Sequence, residues 1–102
     1  VSYCEEAIFN RRPQFTKSRP AAILALLRLQ PERLNAPLAQ LLDPAVELNW
    51  ECRYASWMAV AQMITMGLAI GTQLVHLQSN TNDPSPFVES KKRQVAGLLA
   101  DF

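Results

Sequence analysis

His76 is the chain's single imidazole, and an imidazole beside a nucleophile would be the first candidate for general base catalysis. It ends a long uncharged run, and no serine, cysteine or aspartate stands near it at an informative spacing. It therefore reads as a hydrogen-bonded or half-exposed structural residue. The two thiols fare no better. Cys52 falls in a dense apolar seam, where burial keeps a thiol protonated, and Cys4 sits beside Glu5 and Glu6, whose charges oppose a thiolate. Without flanking histidines, and with no signal-peptide pattern at the start, the pair reads as reduced, packed cysteines of a cytoplasmic protein. A single bridge between them is the alternative.

Glu47 and Glu51 lie one helical turn apart, the same-face spacing of two carboxylate ligands, but no Glu-x-x-His partner of the di-iron type accompanies them. Solvated carboxylates near a helix N-terminus account for both. No glycine-rich phosphate loop or dinucleotide fingerprint occurs. The expectation is a protein that is not an enzyme and holds no metal or cofactor.

The segment "FNRRPQFTKSRP" has the residue types of a nucleic-acid contact: Arg11, Arg12, Lys17 and Arg19 to neutralise phosphates, Phe9 or Phe15 to stack on a base. In the plainer account the two phenylalanines pin a loop to the core while the cations stay in water. Lys and Arg (10) nearly balance Asp and Glu (9), so no long-range field draws in a polyanion. "LAQLLDPAVELNWECR" has the outline of a helix-turn-helix, but its second helix is too apolar for a groove reader. Lys91, Lys92 and Arg93 read as a solvated helix face.

These residues must be positioned by helices. No strand alternation or internal repeat appears, and a chain of 102 residues with 49% hydrophobic and 19% charged side chains is expected to form a single α-helical domain over residues 1–102. Starting at Val1 without methionine, it reads as an excised domain or a processed product. Proline punctuates it: Pro20, Pro31, Pro37, Pro44, Pro84 and Pro86 each precede apolar, helix-favouring residues. Ser18 is the expected cap of a helix carrying Ile23, Leu24, Leu26, Leu27 and Leu29 inward. Asn35 is the expected cap of a second, with Leu34, Leu38, Leu41 and Leu42 inward. Asp43-Pro44 signals the start of one long helix running to about Ser79. The last helix, from about Pro86 to Asp101, places Val88, Val95, Leu98, Leu99 and Phe102 on one face.

On a helical wheel the long helix carries two apolar seams. One includes Leu48, Cys52, Ala55, Ala59, Met63 and Met66; the other Val46, Trp50, Trp57, Ala61 and Ile64. A wetter strip between them holds Glu47, Glu51, Met58, Gln62, Thr65, Gln73 and His76. That pattern predicts a central helix in a small bundle of four to five helices. The uncharged run Trp57 to Leu77 is long enough to cross roughly 30 Å of hydrocarbon, yet Gln62, Thr65, Thr72, Gln73 and His76 argue against lipid. Gly67 and Gly71 form a small-xxx-small step that would let another helix approach closely.

The function expected is a protein interaction or assembly module, a scaffold that self-associates as a homodimer through a hydrophobic helix face. Trp50, Tyr54, Trp57 and Met58 would anchor the partner, with the Gly67/Gly71 groove beside them. Two alternatives belong to other classes: a nucleic-acid-binding module using the Arg11–Arg19 loop, and a small membrane-anchored subunit with a span near Trp57–Leu77.

Overall fold

Proline sets the first boundaries. Pro20 sits in the opening turn of α1 (Arg19–Leu29), where its missing N–H leaves no bond unmade. Pro31 then closes the helix by forcing Gln30 to φ −149°, ψ 76°, outside the helical region. The computed structural model describes Ile8, residues 17–67 and residues 82–100. After α1 come a 3-10 turn (Pro31–Leu34), α2 (Asn35–Leu41), α3 (Trp50–Thr65) and α4 (Pro86–Ala100), with no strand among the described residues. The all-α class is as the sequence suggests.

Two of the expected caps are corrected. Ser18 occupies the cap position of α1, but its side chain makes no capping bond there; its carbonyl accepts from Ala22 N at 2.9 Å. Asn35 lies inside the helix that continues from the 3-10 turn, so Leu34 stands where the cap would be.

The largest correction concerns the long helix. Asp43 accepts from Ala45 N through Oδ1 (2.9 Å), but the resulting turn goes no further than Glu47. The carbonyl of Glu47 is taken by Arg53 Nη1 at 2.8 Å, and its carboxylate is drawn to Arg19. Asn49 then adopts an extended conformation (φ −83°, ψ 115°), and its side chain accepts from Glu51 N at 2.9 Å to start α3 at Trp50. At the other end Met66 N donates to Gln62 O and Gly67 N to Ile64 O, and Gly67 takes φ +76°. That left-handed residue ends the helix in the manner of a glycine C-cap. The helix has 16 residues, and Gly67 lies beyond it.

α3 packs chiefly against α4 and α1, with α2 in lighter contact. Ile23, Leu26 and Leu27 of α1, Leu34, Leu38, Leu41 and Leu42 around α2, Trp57, Val60, Met63 and Ile64 of α3, and Val88 and Val95 of α4 form one core that also holds Ile8. The wheel places most seam residues correctly: Cys52, Ala55, Ala59, Met63, Trp57 and Ile64 are buried, while Gln62 and Thr65 are exposed. It fails ahead of the helix and at its two ends. Val46, Leu48, Trp50 and Met66 are exposed, as are, in the other helices, Leu29 at the end of α1 and Leu98 late in α4. Glu47, assigned to the wet strip, is buried. Gln73 and His76 lie outside the described residues, as do Cys4 and Phe102.

Among the described residues no helix is long and apolar enough to cross a membrane. The candidate span at Trp57–Leu77 is interrupted by the end of α3 at Thr65, and residues 68–77 lie outside the described residues.

Candidate docking face

Two buried ion pairs decide where the exposed aromatic residues sit. Arg19 at the start of α1 donates through Nη1 to both carboxylate oxygens of Glu47 (3.1 and 3.3 Å). This ties α1 to the stretch just ahead of α3. Arg53, one turn into α3, donates through Nε to Asp83 Oδ2 (2.8 Å) and through Nη2 to Asp83 Oδ1 (3.1 Å). The same carboxylate accepts from Ser85 N at 2.9 Å, and Glu89 reaches back to accept from Asp83 N at 2.6 Å. Thus the turn leading into α4 is held together and fastened to α3 by a single side chain. All four charged partners are buried, so each pair carries the desolvation cost of both ions and depends on its geometry.

With the helix starts fixed in this way, Phe87 in the first turn of α4 lies 5.5 Å from Trp50, ring centre to ring centre, at 30°. Trp50 meets Tyr54 edge to face, at 6.4 Å and 76°. Trp50 is 43% exposed and Phe87 64% exposed, although both are large apolar groups. They form the rim of a cleft of about 330 Å³ between α1 and α3, lined by Pro20, Leu24, Trp50, Glu51, Tyr54, Ala55, Met58 and Phe87. A second hollow of about 440 Å³, lined by Leu24, Leu27, Arg28, Met58, Gln62 and Met66, continues it. Leu24 and Met58 border both, so the two hollows form one groove along α3. Aromatic and methionine side chains in this setting can bury a large area on docking at small entropic cost.

Of the anchors named from sequence, Trp50, Tyr54 and Met58 come together on this groove. Trp57 does not: it is 2% exposed and belongs to the core, with no hydrogen-bond partner for its Nε1 among the described residues. Gly67 lies just past the end of α3, and a Cβ built there would touch nothing within 4 Å. Gly71 lies outside the described residues. Leu24, Pro20, Arg28 and Phe87 were missed. Leu24 looked like one more inward leucine in a Leu-rich helix, and Phe87 falls beside, not on, the Val88/Val95 stripe; that offset from the stripe was the available signal.

The other sequence candidates separate. Lys17 is exposed, but Arg19 is committed to Glu47 and unavailable to phosphate, while Arg11 and Arg12 lie outside the described residues. Glu47 and Glu51 do not act as a pair, since one is buried against Arg19 and the other faces water. Among the described residues no three metal-ligating side chains cluster. Cys52 is a buried thiol in no disulfide, and its pKa is pushed up to about 11, first by burial and then by the nearby Glu47 carboxylate. At neutral pH it is not a nucleophile.

The fold and groove define an all-helical module with an open aromatic face. No family model matches the chain, and no solved structure matches it. The chain is similar to the bilin biosynthesis protein CpeY of Synechococcus sp. (strain WH8020), with 32% identity over 87 residues. The match covers 85% of this chain and 20% of the relative, so the chain spans about a fifth of the length of the curated relative it matches.

Proposed function

We propose that the chain is a protein-docking module that serves bilin biosynthesis, binding its partner along the groove between α1 and α3. The observation that carries this reading is the Trp50–Tyr54–Phe87 cluster. Three aromatic rings stand in contact at the rim of an apolar groove, with the helices beneath them fixed by buried ion pairs. A rigid, partly exposed aromatic cluster is the typical centre of a protein interface. The similarity to a bilin biosynthesis protein supports that choice of process. In this reading the module binds and positions and does not itself catalyse, needs no cofactor, and works in the cytoplasm. Its partner is a protein, and a second copy of the chain is the narrowest form of that partner.

Site-specific photocrosslinking tests it. A benzophenone amino acid at position 50 or 87, in a cyanobacterial host making bilins, should capture the same protein, identified by mass spectrometry as a component of bilin biosynthesis. The same group at Arg93, exposed on α4 and outside the groove, is the control. Equal capture at all three positions would refute docking through this face.

A further inference from the structure

We infer that the groove is shaped to receive a second copy of this chain, related by a two-fold axis passing near Met58. The inference rests on the docking reading above and names its occupant. The groove has unlike ends. At one end Trp50 and Phe87 rise on the rim of the smaller cleft of about 330 Å³, 43% and 64% exposed. At the other lies the hollow of about 440 Å³ bordered by Leu27, Arg28 and Met66, a size within the roughly 300–1,000 Å³ of pockets that enclose drug-sized groups. Met58 borders both halves and is midway in sequence between Trp50 and Met66. Along α3 those ends are about 24 Å apart at 1.5 Å per residue. Rotation by 180° about an axis at Met58 lays the ridge of each copy over the hollow of the other.

Charge follows the same division. Arg28 is exposed at the hollow end and Glu51 at the ridge end, and neither has an ion-pair partner among the described residues. A two-fold axis sets Arg28 of one copy against Glu51 of the other, and does so twice. A surface with protruding rings and an acid at one end, and the larger hollow and a base at the other, matches itself under this operation, which is the requirement of an isologous dimer. The indole of Trp50 would also lie over the guanidinium of Arg28, a favourable cation–π arrangement.

Sedimentation equilibrium of the full chain, with circular dichroism to check folding, tests the register. Wild type should dimerise reversibly. Trp50→Ala should weaken the dimer about 100-fold, as expected for an aromatic anchor buried on docking. Arg28→Glu and Glu51→Arg should each weaken it about tenfold, because both rim pairs turn from attractive to repulsive. Mixed in equal amounts, those two variants should form a heterodimer close to wild-type affinity, since each then meets an opposite charge at both pairs. A monomer at millimolar concentration, or a mixture no tighter than its components, would overturn the two-fold register. If the wild type is monomeric while crosslinkers at 50 and 87 still capture a bilin-biosynthesis protein, the second copy is wrong and the docking face stands. If a dimer forms but Trp50→Ala leaves it intact, the inferred use of this groove by the second copy is wrong.

Discussion

Asp83→Asn isolates the device that fastens α4 to α3. In the native protein both oxygens of Asp83 accept from Arg53, at 2.8 and 3.1 Å, in a setting where both side chains are buried. Removing one partner of such a pair leaves an uncompensated charge and costs about 3–5 kcal/mol. Asparagine keeps the shape and one acceptor oxygen, and Arg53 retains its 2.8 Å bond to the Glu47 carbonyl. The expected loss therefore falls at the lower end, about 3 kcal/mol, against a total stability of roughly 5–10 kcal/mol for a domain of this size. With a urea m-value of about 1.5 kcal/mol/M, the midpoint should fall by about 2 M. The companion Arg53→Met with Asp83→Leu removes both charges and should lie within about 2 kcal/mol of wild type, since apolar replacement of a whole buried pair is tolerated better than half of it. A loss below about 1 kcal/mol for Asp83→Asn would show that the pair is solvated in solution, and the account of how Phe87 is held beside Trp50 would fail.

Other perturbations probe separate links. Gly67→Ala should cost about 1 kcal/mol in chemical denaturation, all of it from the φ of +76°, because the added methyl meets nothing; an unchanged midpoint would refute the cap. Asn49→Ala should cost about 1 kcal/mol by loss of the bond to Glu51 N, and an increase in stability would count against Asn49 as the helix start. Trp57→Ala should cost about 3–5 kcal/mol as a core truncation, whereas Trp50→Ala should cost under about 1 kcal/mol in the monomer; the reverse ranking would place the wrong tryptophan at the surface. The raised pKa of Cys52 carries a definite sign. The unfolded thiol ionises near 9.0 and the folded one near 11, so its contribution is full below pH 9 and lost as pH rises towards 11. That loss amounts to about 2–3 kcal/mol, and Cys52→Ala should flatten it in alkaline urea titrations.

Much of the architecture was legible because its signals are local. Proline in a first turn and leucines at helical spacing mark α1, α2 and α4 without reference to anything distant. The start of α3 was not legible, because Asp43-Pro44 is a genuine start signal whose turn is overridden by contacts 28 and 30 residues apart in sequence: Arg19 on Glu47 and Arg53 on Asp83. Wheel analysis cannot see those partners, and it read Glu47 as wet because carboxylates usually are. The stop at Gly67 was hidden by the apolar run around it, since a glycine inside a helix and one ending it look alike until φ is known. Half of the groove lining is legible from α3 alone. The other half comes from helices whose approach depends on the ion pairs, so no single-helix pattern contains it.

The placement of the charges leaves the protein with two populations of ions that answer differently to its surroundings. Those inside, sealed from electrolyte, keep their attraction as ionic strength rises, whereas Arg28 and Glu51 on the rim are muted within a Debye length of about 8 Å in physiological saline. Added salt should thus loosen the proposed docking while the architecture beneath it holds, so that its affinity would be adjustable by the medium without any rearrangement of the fold.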